Sequence, residues 1–133
     1  MGLTIRLAAV GAVAFMVLDG LWLGVLMKQF YRDQLAPIAR LGGAGGIAPN
    51  WPAAFVVYAL LGAGISLFVV PRAATLTSAA ASGALFGLVV YCVYDFTNYS
   101  TLRQWPLALA LADVAWGAVA SAACAVAVRS VAR

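Results

Sequence analysis

Four long apolar segments constrain the fold of this chain more than any other feature of its sequence. They cover about residues 7–27, 52–70, 77–99 and 106–128, and each holds close to the ~20 residues that a helix needs to cross the hydrocarbon core of a bilayer. Non-helical backbone cannot face lipid, because its polar groups would have no partners there. The sequence therefore predicts an all-α protein, a polytopic integral membrane four-helix bundle that forms a single transmembrane domain over residues 1–133.

The composition supports the same class and excludes several others. Hydrophobic residues make up 65% of the chain and charged residues only 9%, whereas a soluble domain carries roughly a quarter charged residues. The chain has no histidine, its four acidic residues are all aspartate, and its two cysteines are isolated. We therefore predict no metal site and no cofactor. The basic residues lie at the ends of the apolar segments and form no cluster, so we expect no nucleic-acid partner.

The four segments form two hairpins with a similar plan. Asp19 lies near the end of the first segment, and a Trp-Pro pair at Trp51 opens the second; Asp95 lies near the end of the third, and a Trp-Pro pair at Trp105 opens the fourth. This common plan is compatible with two repeated helical hairpins. Local preferences explain each pair equally well, because proline suits a first helical turn and tryptophan suits the membrane interface.

A loop over residues 28–51 joins the first two segments at the membrane interface. Its first part, KQFYRDQLAPIARL, alternates apolar residues with charges, a pattern typical of a short helix that buries one face in the interface. The run Gly42-Gly43-Ala44-Gly45-Gly46 follows and is too rich in glycine to hold a helix. The loop is predicted to be either an ordinary surface loop or a mobile lid over the nearby aspartates.

Three of the four aspartates lie inside apolar segments, where ionisable residues are rare and mark functional sites. Helical rise places Asp19 and Asp113 about 12 Å, and Asp95 about 6 Å, below the loop-side surface. Tyr58 in the second segment lies at about 10 Å by the same measure. The sequence therefore predicts one polar layer to which all four helices contribute.

Each of these aspartates shares a helix face with an aromatic or amide residue three or four positions away. The sets are Asp19 with Trp22, Asp113 with Trp116, and Asp95 with Tyr91 and Asn98. Together with Tyr58, these residues are the predicted substrate- or proton-binding residues. A wet layer of this kind binds protons or polar substrates, whereas a dry one forms structural hydrogen bonds between helices.

Small residues recur at intervals of four along the same helices. Gly20 and Gly24 form such a pair in the first segment, and Gly83 and Gly87 form one in the third. This spacing is typical of close helix packing in membranes. The series in the third segment continues in steps of four to Asp95, so we expect Asp95 to point into the bundle.

The run YDFTNYSTLRQWPLALALADVAWG, together with LDGLWLG in the first segment, resembles a family of small bacterial predicted membrane proteins of unknown function. The resemblance covers nearly the whole chain, and its specific part is YDxTN followed by DxxWG. It implies four transmembrane helices and the bacterial inner membrane. It supplies no activity and no catalytic residue.

Basic residues decide the orientation of a membrane protein, and here they are evenly divided between the two sides. The side of the termini holds Arg6, Arg72, Arg129 and Arg133, and the opposite side holds Lys28, Arg32, Arg40 and Arg103. The arginine close to the amino terminus favours termini in the cytoplasm.

The polar layer favours a small transporter, in which the aspartates link proton or cation binding to the movement of a small polar or cationic substrate. One alternative is an enzyme or accessory subunit of membrane lipid metabolism, with Asp95 and Asn98 as acid-base and orienting groups. Another is a structural subunit of a larger membrane complex. The expected partners are membrane lipids and either a second copy of the chain, as a homodimer, or the other subunits of such a complex.

Overall fold

The computed structural model describes residues 1–132, so Arg133, which was counted on the side of the termini, lies outside the described residues. Over residues 1–132 the chain forms five α-helices and no named strand. The helices are α1 (Gly2–Leu21), α2 (Lys28–Leu35), α3 (Trp51–Gly64), α4 (Leu76–Thr101) and α5 (Leu107–Val131).

Two of these helices continue beyond their regular part. A π turn extends α1 over Trp22–Leu26, and a π turn over Ile65–Val69 extends α3. Each π turn adds a residue to the helical turn and so shifts the direction of the side chains that follow. The first of these turns begins three residues after Asp19 and contains Trp22. Both residues belong to the predicted binding residues.

Four helical stretches within residues 1–132 are long and apolar enough to span a bilayer. They are Gly2–Leu26, Trp51–Arg72, Leu76–Thr101 and Leu107–Val131. The predicted all-α membrane architecture is therefore confirmed.

The interfacial loop contains the short helix α2, whose face towards the bundle buries Tyr31 at 3% exposure. Beyond α2 the glycine-rich run makes a tight turn, and Leu41 pairs with Ile47 across it. Gly45 has a φ of 72° in this turn, a left-handed conformation that glycine adopts without steric cost. The loop is therefore folded back over the loop end of the bundle.

Side-chain caps fix where two of the candidate spans begin. The backbone N–H of Ala53 donates to Asn50 Oδ1 at 3.2 Å. At the start of α4, the N–H of Ser78 donates to Thr75 Oγ1 at 3.0 Å, and the N–H of Thr75 donates to Ser78 Oγ at 2.9 Å. Such caps satisfy backbone donors that a helix start leaves free, and they set the depth of the residues that follow.

Glycines bring the backbones of neighbouring helices into contact. A Cβ added to Gly62 of α3 would meet Ala8 O and lie 2.5 Å from Ala12 N, both on α1. A Cβ added to Gly83 of α4 would lie 2.6 Å from Ser121 O on α5. The close packing predicted for the glycines of α4 is thus confirmed, and α3 packs against α1 in the same way.

The bundle is closed at the end that holds the termini and open at the loop end. The π turn Ile65–Val69 contacts α1, α4 and α5, whereas the part of α3 before it packs chiefly against α1. Phe15 and Ile65 are 0% exposed in the closed half. Gly64 lies against the ring of Phe86 on α4, and beyond that level, towards the loop, α3 and α4 leave a space between them.

Candidate functional site

A cavity of about 570 Å³ occupies this space at the loop end of the four spans. Pockets of this volume hold small ligands in other proteins. The roof of the cavity is formed by the loop, through Lys28, Gly46, Ile47 and Pro49. Its walls carry polar and aromatic side chains from every span: Asp19 from α1, Tyr58 from α3, Tyr91 from α4, and Asp113 and Trp116 from α5.

The two Asp-x-x-Trp motifs are crossed at the side of this cavity. Trp116 Nε1 donates a hydrogen bond to Asp19 Oδ1 at 2.8 Å, and the Trp116 ring stacks on Trp22 with 4.5 Å between centroids and 1° between planes. Trp22 Nε1 donates to the Tyr31 hydroxyl at 3.0 Å, and that hydroxyl donates to Asp113 Oδ1. Trp116 therefore donates directly to the aspartate of the other motif, and Trp22 is linked to Asp113 through the Tyr31 hydroxyl. We call these two motifs with their exchanged partners the crossed pair.

Each carboxyl group of this crossed pair keeps capacity for a ligand. A carboxylate has about four lone-pair sites, whereas the contacts above use one oxygen of Asp19 and one of Asp113. Asp19 is only 8% exposed, so little water competes for its remaining oxygen. A cationic or hydrogen-bonding ligand in the cavity would therefore meet two partly desolvated acceptors.

Tyr31 is the member of this site that the sequence analysis missed. Burial raises the pKa of its hydroxyl, and the hydrogen bond to Asp113 and the charge of that carboxylate raise this pKa further. The hydroxyl therefore stays protonated and acts as a donor at neutral pH. A signal was available in the sequence, because a tyrosine on the apolar face of an interfacial helix needs a partner for its hydroxyl when it is buried.

We expect Tyr31→Phe to loosen α2 from the bundle. The change removes the hydroxyl that bonds both Trp22 and Asp113. At about 1 kcal/mol for each lost hydrogen bond, the population of the locally open state should rise at least about fivefold. Hydrogen exchange of the α2 amides, measured by mass spectrometry in nanodiscs, checks this. Tyr99→Phe, at a 45% exposed position on α4, is the control. Unchanged exchange in α2 would mean that apolar contacts alone hold this helix.

Asp95 lies behind the cavity wall rather than in it. The residue is 0% exposed, and neither carboxyl oxygen has a hydrogen-bond partner. The polar groups that act on it are the Asp113 carboxyl and the indole of Trp105, whose N–H is also unpartnered. Burying a polar group without a partner costs free energy of folding. Asp95 acts on the site only indirectly, through its interaction with the Asp113 carboxyl.

Asn98 does not share the cavity with the aspartates. It lines a separate groove at the turn between α4 and α5, together with Arg103 and Thr101. Tyr94 lines both the groove and the cavity. The helical spacing that joins Asn98 to Asp95 therefore brings the two residues to one face of α4 but not to one pocket.

The interpretation of Gly20 and Gly24 as helix-packing residues is wrong. A Cβ added to either glycine would meet nothing within 4 Å, and both residues line the cavity. The four-residue spacing is the same as in the packed pairs, but here the missing side chains leave open volume next to Asp19.

The lining of the cavity is suited to an organic cation. Aromatic ring faces and carboxylates attract such cations, the rings through their quadrupole. Among the described lining residues Lys28 is the one basic group, and it belongs to the roof. The aromatic lining residues are Tyr31, Trp51, Tyr58, Tyr91, Tyr94, Trp105 and Trp116.

A family model with the description predicted membrane protein (DUF2177) matches residues 4–129 of the chain. That range contains every residue of the cavity walls and of the crossed pair. No curated protein and no solved structure matches the chain.

Proposed function

The chain belongs to this family of predicted membrane proteins, and we propose that it binds a small polar or cationic substrate within the membrane and moves it in a proton- or cation-linked cycle. The observation that carries the proposal is the crossed pair, which holds Asp19 and Asp113 from different helices at the wall of one aromatic cavity. The family description names no activity, so the proposal rests on this geometry.

Charge and ring chemistry favour an organic cation among the substrates of this class. A cation about 4 Å from a carboxylate gains roughly 4 kcal/mol at an effective dielectric constant of about 20, and each ring face adds about 0.5–2 kcal/mol. A hard metal ion such as Ca²⁺ instead takes about six to eight oxygen ligands. The walls offer two carboxyl groups and many rings, a combination that fits an ammonium group with apolar substituents.

Proton linkage has a simple physical basis at this site. A substrate cation and a proton compete for the same oxygens of Asp19 and Asp113, so binding of one favours release of the other. Asp95 is near enough to Asp113 for the two carboxyl groups to interact, so it offers a third carboxyl group for the displaced proton. This competition supports exchange of a cation for a proton as the form of the cycle.

We expect Asp19→Asn to weaken binding of tetramethylammonium at least about tenfold, because it removes a charge from the wall while keeping the shape of the side chain. The measurement is equilibrium binding of the radiolabelled cation to the purified protein in nanodiscs. Asp33→Asn is the matched control, since Asp33 accepts hydrogen bonds from Gln29 in the exposed part of α2. Equal binding by the wild type and Asp19→Asn would overturn the proposal.

Transport is then tested with the same proteins in proteoliposomes that contain a pH-sensitive dye. An imposed proton gradient should drive uptake of the cation by the wild type and by Asp33→Asn, with proton movement in the opposite direction, but not by Asp19→Asn. Saturable binding without uptake would restrict the function to binding.

For the cellular location we propose the bacterial inner membrane, with both termini in the cytoplasm. The four spans support termini on one side, and Arg6 close to the amino terminus supports the cytoplasmic side. A reporter that is active only in the cytoplasm, fused to the carboxyl terminus, tests the orientation.

The proposed partners are membrane lipids and either a second copy of the chain or a larger membrane complex. Apolar residues on the outer faces of the spans support lipid contact, such as Leu60 at 66% and Leu85 at 62% exposure. The homodimer, the lipid-metabolism role and the structural-subunit role stay predictions. Asp95 is buried behind the cavity wall, whereas Asn98 lines the groove at the turn between α4 and α5. The acid-base pair of the enzyme alternative is therefore not assembled in one cavity.

A further inference from the structure

The cavity opens sideways, between α3 and α4. Trp51 on α3 and Tyr94 on α4 both line the cavity, yet they are 57% and 56% exposed. Above the contact of Gly64 with Phe86 the two helices leave a space between them, and we place these two exposed side chains at its edges. The loop roofs the cavity on the water side, so this opening is a lateral one.

The lateral opening has a defined lower edge. Gly64 of α3 contacts the ring of Phe86 on α4, and above this contact Tyr58 and Tyr91 lie partly buried on the two sides of the cavity. From Tyr58 up to Trp51 the opening extends over seven residues of α3, or about 10 Å.

The position of this opening determines what enters it. Since α3 begins at Trp51, next to the capping residue Asn50, and tryptophan suits the membrane interface, we place the opening from the interface downward, facing the acyl chains of one leaflet. The residues on the outer surface of α3 beside it are apolar, with Phe55 at 51% and Val56 at 58% exposure. A strongly hydrated ion would have to lose its water in the acyl layer before it reached the carboxyl groups. An amphiphile is already present in that layer.

We propose that the ligand of this site is a single-chain amphiphile with an organic ammonium head group, taken laterally from the membrane leaflet. The inference rests on the proposed cation-binding function and adds a substrate class to it. The head group lies among Asp19, Asp113 and the aromatic rings, and the alkyl chain lies between α3 and α4. A volume of about 570 Å³ holds the head group and the first part of one chain, while the rest of the chain stays among the lipids.

The charge and the open volume of the site favour an ammonium head group. Asp19 and Asp113 lie at the wall, and Gly20 and Gly24 leave open volume next to Asp19 that a trimethylated nitrogen can occupy. Lys28 is in the roof rather than in the wall. An anionic head group would be repelled by the two carboxylates, and an uncharged head group would leave their charge uncompensated.

The test compares tetramethylammonium with dodecyltrimethylammonium on the wild-type protein in phosphatidylcholine nanodiscs. Nanodiscs without protein give the correction for partition of the long chain into lipid. We expect the dodecyl compound to bind at least fivefold more tightly than the short one after this correction. We also expect Asp19→Asn to weaken binding of both compounds.

A variant at the opening separates the chain from the head group. Ala54 lies on the face of α3 between Trp51 and Tyr58 and lines the cavity, so Ala54→Phe narrows the opening without touching either aspartate. We expect it to remove most of the advantage of the dodecyl chain, measured within the variant as the ratio of the affinities for the two compounds. Ala53→Phe, at an exposed position outside the cavity lining, is the matched control and should leave this ratio unchanged.

The possible outcomes distinguish lateral uptake of an amphiphile from the proposed cation-binding function. If tetramethylammonium binds in an Asp19-dependent way but the dodecyl chain gives no corrected advantage, lateral uptake of an amphiphile is wrong and the proposed function stands. If dodecyl maltoside or dodecyl sulfate competes as well as the ammonium compound, the choice of head group is wrong. If neither ammonium compound binds in an Asp19-dependent way, the proposed function fails and this inference fails with it.

Discussion

Gly62→Ala is expected to lower the free energy of unfolding by at least about 2 kcal/mol. The added methyl group would meet backbone atoms of α1, at Ala8 O and Ala12 N, and a backbone cannot turn aside as a flexible side chain can. Relief requires α1 and α3 to move apart over their whole contact. The measurement is a reversible unfolding titration in mixed micelles, with the wild type alongside.

Gly20→Ala is the matched control, because we expect it to change the free energy of unfolding in the opposite direction. A Cβ at this position meets nothing within 4 Å, and alanine in a helix is favoured over glycine by about 0.5–1 kcal/mol. The variant should therefore be as stable as the wild type or more so. If Gly62→Ala proved as stable as Gly20→Ala, the close approach of α1 and α3 would be wrong.

The double replacement Asp19→Asn with Asp113→Asn is expected to weaken binding of tetramethylammonium by about 100-fold or more, or about 2.7 kcal/mol. Both charges on the wall are then lost, whereas the amides keep the size of the carboxyl groups. The two single variants should each lose more than half of that free energy. Their effects are not independent, because Trp116, Trp22 and Tyr31 connect the two carboxyl groups, and changes within one network do not add.

A double-mutant cycle in nanodiscs measures this coupling. The same binding assay is applied to the wild type, both single variants and the double variant, and Asp33→Asn again serves as the surface control. If the losses in the two single variants add to the loss in the double variant, within about 0.3–0.5 kcal/mol, the two aspartates act independently and the crossed pair does not couple them.

The membrane class and the four spans were predictable because hydropathy and length are local properties of the chain. The depths of Asp19, Tyr58 and Asp113 were also predictable, since helical rise converts a position in sequence into a depth. Those three side chains do line one cavity. Helical spacing puts Asn98 on the same face of α4 as Asp95 but does not decide which pocket it lines, and Asn98 lies in a separate groove.

The contacts that build the site could not be predicted from the sequence, and the reason is physical. Tyr31 reaches Asp113 across 82 positions in the chain, and no periodicity relates α2 to α5. The two Asp-x-x-Trp motifs are visible in the sequence, but their exchange of partners depends on how α1 and α5 pack. The role of Gly20 was misread because a four-residue spacing is the same whether the glycine faces another helix or an empty space.

The two ends of the bundle are built differently, and this difference bears on the kinetics of the proposed transport cycle. On the loop side, α2 is fastened through the Tyr31 hydroxyl, and breaking such a contact costs about 1 kcal/mol. On the side of the termini, exit requires separation of backbones that touch at Gly62 and Gly83. For the proposed cycle we therefore expect loading into the loop half to be faster than release to the far side, and a driving gradient to act mainly on that release.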